Sequence, residues 1–488
     1  MADTFLKEKA VKGVAWSAVQ KYSTMVVGFI SSIILARLLT PDDYGCIGML
    51  AIFMSLAEVF IDAGFGSALI QKKTPTLADY STVFYFNIFM SLVLYLLIFS
   101  CAPIIADFYR IPALSKILRI QGLILFIYAF NIIQFNIIRK NLQFKKLSII
   151  TIATSIVSLI VTVIMAYSGC GVWALVTQNF IVALLPCVFY WITTDWHPTW
   201  EYSWTSFKEL FGFGSYMLLT HLFTTISQKI SGLLVGRWFT PSTMGYYSKA
   251  STTAEYATLS ITSVILQTTY PLYSTVQDDK DRLANMVKRI TSTLAFLMVP
   301  LLFLLILIAK PLFIFLYTDK WVTCVPYFQI LCIGGLAICL QGVNSQTIAA
   351  IGKSKTMLIW VIIKQTIGII LQIIGLFVWG MMGLLIGLVL AAWFAYIINI
   401  SLVSKYVGYK SLQQLKDLAP VFIASGFSFI ASYALTDFIN LELYADGIVK
   451  TILFCIIYLG WAIIFKPESY TNTLAALQVF FRNNITNK

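Results

Sequence analysis

Residues 36–45 read ARLLTPDDYG and residues 236–245 read GRWFTPSTMG. Set in register they share Arg37/Arg237, Thr40/Thr240, Pro41/Pro241 and Gly45/Gly245. Each copy closes one long apolar run and opens the next. The proline ring presets its own backbone angle, and a glycine four residues on tolerates a close neighbour, so the pattern turns a chain. A recurrent interfacial turn would account for that much. An internal duplication accounts for more, because the copies open matching runs, the first and second against the seventh and eighth. A shift of six spans is even, so both copies keep one orientation. A weaker echo pairs Gly171 in GCGVWALV with Gly383 in MMGLLIGL, at the openings of the sixth and twelfth runs.

Outward from the repeat, composition decides the solvent. Of 488 residues, 59% are hydrophobic and 11% charged, whereas an ordinary soluble domain carries roughly 25% charge. A helical span needs about 20 apolar residues. Runs of that length lie near 13–38, 44–70, 80–104, 117–138, 147–167, 171–193, 210–238, 243–272, 290–309, 325–350, 356–379, 382–404, 418–437 and 447–465. They are continuously apolar, unlike the alternating strands of a barrel. The expectation is an all-α polytopic membrane protein of about fourteen transmembrane helices. Residues 1–200 form a first six-helix lobe, 201–410 a pseudo-symmetric second one, and 411–488 a further helix pair with a cytoplasmic tail. Parallel six-span halves suit a transporter with its site between them. The eight cysteines include no C-x-x-C pair and read as small core residues. The first run carries Lys21 and lacks a small-residue cleavage site, so it is expected to stay as a span.

The formal net charge of +13 takes its meaning from position. With the N-terminus inside, most of the 34 Lys and Arg fall in inner connections, such as residues 72–73, 139–146 and 405–416. That is the positive-inside pattern with both termini cytoplasmic. Dispersed over short loops, these residues make no nucleic-acid surface. IGKSK at 351–355 lacks the first glycine of a phosphate loop, which argues against direct ATP drive. No metal site or cofactor is expected.

Further stretches extend the picture: GVAWSAVQKYSTMVVGFISSIILARLLTPDDYG at 13–45, FIDAGFGSALIQKK at 60–73, NLQFKK at 141–146 and GCGVWALV at 169–176. Over roughly the first 200 residues the chain resembles the polysaccharide-exporter branch of the multidrug/oligosaccharidyl-lipid/polysaccharide (MOP) superfamily, the Wzx-type flippases of O-antigen and capsule precursors. The resemblance implies a MATE-like fold, two six-helix lobes around a central cavity. It implies movement of undecaprenyl-diphosphate-linked oligosaccharide from the cytoplasmic to the periplasmic leaflet of a bacterial inner membrane by alternating access. Its expected partners are that lipid-linked substrate, the bilayer, a glycan polymerase and other polysaccharide-assembly proteins. Proton or sodium coupling stays open, and no binding residue is carried over from the family.

A diphosphate and a glycan need a wet, cationic route. Ionisable groups inside spans cost about 2.5–3.5 kcal/mol each and are functional candidates by default. Lys21, Lys229, Lys249 and Lys364, with His221, which occupies in the seventh run the place of Lys21 in the first, are candidates for the substrate cavity. Lysines near span ends can also snorkel to water. Arg37 and Arg237 could receive diphosphate as guanidinium forks or anchor the interface. Glu58, Asp62 and Glu255 are candidates for ion coupling, Glu255 lying about 18 Å along its helix at 1.5 Å per residue. Glu58 and Asp62 share one helix face, and the alternative for them is a structural pair holding Lys21 or a loop amide. Two other functions compete: cation-coupled multidrug efflux, and a membrane glycan polymerase or glycosyltransferase. The second would need acid/base groups in a substantial loop, and the outer loops are short.

Overall fold

The computed structural model describes residues 2–276, 279–439 and 441–474. Arg482, Lys488 and most of the expected cytoplasmic tail lie outside them. All regular structure among the described residues is helical. Two compact units divide the chain, Met1–Ser248 and Lys249–Lys488.

The first unit holds α1 (Ala2–Leu38), α2 (Pro41–Asp62), α3 (Phe65–Gln71), α4 (Leu77–Tyr109), α5 (Ala113–Gln121), α6 (Ile124–Lys140), α7 (Phe144–Tyr167), α8 (Val172–Thr193), α9 (Trp204–Trp238) and the first residues of α10 (Pro241–Thr275). The second holds the rest of α10, then α11 (Lys280–Leu307), α12 (Ala309–Tyr317), α13 (Cys324–Ala350), α14 (Ser354–Val407), α15 (Ser411–Asp437) and α16 (Leu443–Phe465). Helix starts follow side-chain caps. Thr40 and Thr76 each form a capping box with the aspartate three residues on, Asp43 and Asp79, and each cap contributes about 1 kcal/mol.

Among the described residues eleven helical stretches are long and apolar enough to cross a membrane. One of them, Ile359–Val407, is a hairpin. At 1.5 Å per residue the 54 residues of α14 would reach about 80 Å if straight, far beyond a 30 Å hydrocarbon layer. Trp379 and Gly380 leave helical geometry and fold it back. With the hairpin counted as two spans these make twelve crossings, and α9 and α10, at 35 residues each, are long enough for the other two of the expected fourteen. One expectation shifts register: Gly171 (φ 53°, ψ −131°) has its counterpart in Gly380 (φ 60°, ψ −137°) rather than in Gly383. That conformation admits only glycine. Gly383 instead packs bare backbone on Gly375, where an added β-carbon would sit 1.9 Å from the Gly375 carbonyl oxygen.

Packing is inverted relative to a soluble protein. In α4 the buried positions include Ser81, Thr82, Asn87 and Ser91, while Phe89, Leu92, Leu96 and Leu97 are exposed. In α15 Ser425, Ser428, Ser432 and Thr436 are buried. Lipid gives no hydrophobic drive for helices to associate, so small residues that allow close approach line the contacts.

Candidate functional site

In the first unit α2 runs antiparallel to α9, and a series of contacts fixes the register. A β-carbon on Gly64 would lie 2.2 Å from the Gly214 carbonyl oxygen, one on Gly236 would lie 2.8 Å from Met49, and one on Gly45 would lie 1.9 Å from the Pro241 carbonyl oxygen. Glycine at 64 lets backbone touch backbone at one end of the pair; at the other the Met49 side chain rests on Gly236, and Gly45 meets Pro241 at the start of α10. Between these ends, Glu58 of α2 lies within electrostatic reach of Lys229 of α9, and Asp62 within that of His221. Tyr128 of α6 lies within electrostatic reach of both carboxylates. Glu58 and Asp62 are half-buried, and Lys229 and His221 are exposed. Two proposed coupling carboxylates and two proposed substrate-cavity groups thus lie along one α2–α9 ladder.

The local chain explains the placement. Helix α2 stops after Asp62 because Ala63 and Gly64 take left-handed conformations (φ 46° and 77°). Asp62 Oδ1 then accepts the amide of Gly66 at 3.1 Å, in the first turn of α3. A carboxylate at a helix N-terminus is favoured by the helix dipole, so Asp62 also serves the structure. Below the ladder, Lys72 bridges Asp79 at 3.0 Å and Glu209 at 2.9 Å. Burial works against its charge, and the hydrogen bonds that it donates to Glu209 and Asp79 outweigh that, holding the ammonium above its ordinary value. The connection from α8 to α9 is strapped to the same region. Thr199 and Ser203 amides donate to Ser81 and Thr82 hydroxyls at 3.1 and 2.9 Å, and Phe65 packs against Phe207 and Phe211.

The two repeat copies meet. A β-carbon on Gly245 would lie 1.8 Å from the Pro41 carbonyl oxygen, the mirror of the Gly45–Pro241 contact. Ser242 Oγ donates to Asp42 Oδ1 at 2.7 Å across the pair. Arg237 donates to the Phe108 carbonyl at 3.0 Å and lies over that ring, an anchoring arrangement, and Arg37 is exposed at the end of α1. Lys21 is exposed on α1.

In the second unit Lys249 is 2% exposed, with the rings of Tyr317 and Trp321 at 4.9 and 5.3 Å. Lys364 donates to Asn399 Oδ1 at 2.9 Å, and Asn399 Nδ2 donates to Ser345 Oγ at 3.2 Å. Glu255 is exposed and accepts from Ser251 at 3.4 Å. Sequence reasoning missed Tyr128, Asn399 and the Asp42–Ser242 bond. Counting intramembrane amides and phenols beside the charged residues would have raised the first two. Among the described residues no cluster of three or more His, Cys, Asp or Glu could hold a metal ion.

A family model described as polysaccharide biosynthesis protein matches residues 34–326. An uncharacterized membrane protein in the cps region of Klebsiella pneumoniae is 27% identical over 336 residues, 68% of this chain and 69% of that protein. Teichuronic acid biosynthesis protein TuaB of Bacillus subtilis (strain 168) is 23% identical over 357 residues, 73% of this chain and 74% of TuaB. Among solved structures, the lipid II flippase MurJ in an inward closed conformation matches with a TM-score of 0.74 at 18% identity, covering 93% of this chain and 98% of MurJ. The fold is the one that this flippase structure has. With the matched segment taking in more than half of its length, this multi-pass membrane protein belongs to the polysaccharide biosynthesis protein family.

Proposed function

We propose that the protein flips undecaprenyl-diphosphate-linked oligosaccharide from the cytoplasmic to the periplasmic leaflet of a bacterial inner membrane, with both termini cytoplasmic. Residues 1–200 and 201–410 act as the two alternating-access halves, and residues 411–488 as an appended pair. The observation that carries this is the Glu58–Lys229 and Asp62–His221 ladder along α2 and α9. Charges in a span are costly unless they pair or line water, and Lys229 and His221 lie exposed along this seam within electrostatic reach of the two half-buried carboxylates. A diphosphate entering the ladder competes with Glu58 for Lys229. Glu58, relieved of its cation, then takes a proton or sodium ion, which ties substrate binding to an ion gradient. Lys21, Lys364, Arg37, Arg237 and Lys249 are secondary candidates for the anion, and Glu255 for the coupling ion. A glycan polymerase and other assembly proteins are the natural partners downstream.

The test is leaflet transfer of a fluorescent undecaprenyl-diphosphate oligosaccharide in proteoliposomes. Glu58→Gln and Lys229→Met should each lower the rate at least tenfold. No transfer with several glycans, together with no precursor accumulation on deletion of the gene, would refute the proposal. Drug resistance on overexpression, abolished by Glu58→Gln, would support cation-coupled multidrug efflux instead.

A further inference from the structure

The connection from α4 into α5 runs against the positive-inside pattern. Three basic residues, Arg110, Lys116 and Arg119, stand within ten positions of an outer connection, where that pattern leaves few. Asp107, the carboxylate nearest to them in the chain, is exposed and forms an ion pair with none of them among the described residues. Helix α5 turns Leu114, Ile117, Leu118 and Gln121 inward, which sets Lys116 and Arg119, one turn apart, on its outward side. We infer that these two cations form a binding site for the phosphodiester of an anionic phospholipid in the outer leaflet. The leaflet follows from the orientation proposed above; the binding does not depend on transport.

Each cation is aimed before a ligand arrives. Pro103, inside α4, has no amide to give the carbonyl four residues before it, so the Phe99 oxygen lacks its helical partner. Arg119 Nε donates to that oxygen at 3.2 Å, and the guanidinium carbon stands 4.4 Å from the centre of the Phe99 ring. The fold thus uses one of the five guanidinium N–H groups. The two terminal nitrogens remain, the fork that suits a phosphate. Phe99 is steadied in turn by Tyr95, their ring centres 5.9 Å apart. Lys116 stands over Trp173 of α8, its ammonium 5.7 Å from the ring centre. Neither cation has an ion pair among the described residues, so the protein leaves two neighbouring positive charges for an anion to match. The setting selects a lipid. Phe99 and Ile104 on α4 and Leu123 after α5 are exposed, an apolar surface for acyl chains beside the cations. Two positive charges without a paired carboxylate attract phosphatidylglycerol and repel the ammonium of phosphatidylethanolamine. None of these residues belongs to the α2–α9 ladder.

The experiment titrates the purified full chain, delipidated in a neutral detergent, with phosphatidylglycerol or phosphatidylethanolamine and counts bound lipids by native mass spectrometry. The first phosphatidylglycerol should bind about fivefold or more tightly than the first phosphatidylethanolamine. Lys116→Gln and Arg119→Gln should each weaken it about fivefold, the effect of one basic residue at an anionic surface. Arg119→Lys, which keeps the charge and loses the fork, should weaken it less. Lys310→Gln, on another outer connection, should leave it unchanged. Lys116 is exposed, so Lys116→Gln should keep the thermal unfolding of the parent protein. Unaltered phosphatidylglycerol affinity in that variant would overturn the site, even where Arg119→Gln, deprived of its bond to Phe99, fails to fold. Equal affinity for the two phospholipids would overturn the choice of an anionic headgroup. Tighter binding of undecaprenyl phosphate than of phosphatidylglycerol, lost in Lys116→Gln, would assign the pair to the substrate and overturn the phospholipid.

Discussion

Three glycines of the first unit allow the closeness of α2 and α9 to be weighed by single methyl groups. Gly212 in α9 has nothing within 4 Å of where a β-carbon would stand, Gly169 has open space but a φ of +78°, and Gly64 has a φ of +77° and a carbonyl oxygen 2.2 Å away. Alanine at 212 should stabilise by about 0.5–1 kcal/mol through lower unfolded-chain entropy. Alanine at 169 should cost about 1–2 kcal/mol for the left-handed backbone alone. Alanine at 64 adds an overlap with backbone that cannot rotate away, worth a further 1–3 kcal/mol, for a total of about 2–5 kcal/mol. At about 2–4 °C per kcal/mol for a unit of this size, the expected changes in Tm are a rise of about 1–4 °C for Gly212→Ala, a fall of about 2–8 °C for Gly169→Ala, and a clearly larger fall for Gly64→Ala. Thermal unfolding of detergent-solubilised protein, followed by intrinsic tryptophan fluorescence, reads all three. Equal losses for Gly64→Ala and Gly169→Ala would refute the close approach of the α2–α3 break to α9.

Other consequences are open to the same assay. Because Lys72 is held above its ordinary value of 10.5, its ion pairs contribute stability fully present below that pH and lost as pH rises through the higher folded-state value; Lys72→Met should flatten the alkaline limb of a Tm-against-pH curve, and an unchanged limb would contradict the bridge. Asn399→Ala deprives a half-buried Lys364 of its acceptor and should cost about 1.5–3 kcal/mol, with Lys364→Met in the same background recovering part of the loss. Lys249→Met keeps volume and removes an amine that is 2% exposed, whose desolvation outweighs what the rings of Tyr317 and Trp321 return, so Tm should stay level or rise; a fall corresponding to about 1–2 kcal/mol would mean that the rings more than repay the buried charge.

The class of fold was legible because lipid leaves so few ways to satisfy a backbone: runs such as 147–167 and 447–465 admit only helices. The repeat was legible too, since Thr40-Pro41 and Thr240-Pro241 are local signals, a cap followed by a first-turn proline. That the copies touch was not legible, because nothing in ARLLTPDDYG says which carbonyl its glycine is saving room for. Glu58 and Asp62 could be placed on one face from their spacing, but their cations sit some 160–170 positions further along the chain. Only the antiparallel register of α2 and α9 brings Lys229 and His221 opposite them. Gly171 and Gly380 were harder still, since their likeness is one of backbone angle and leaves no trace in the letters around them.

The turn at Trp379–Gly380 bears on how the chain enters the membrane. Between the arms of α14 there is no hydrophilic connection, and the tip carries Phe377, Val378 and Trp379, each more than 60% exposed, side chains suited to the interfacial zone. With no loop to be translocated, the two arms have to insert together as a hairpin. Their orientation is then set by the basic residues flanking the open end, Lys353 and Lys355 before the first arm and Lys405 and Lys410 after the second. A protease or antibody acting from the far side would find almost nothing to grip there, so this pair of crossings would be invisible to the usual loop-mapping of topology.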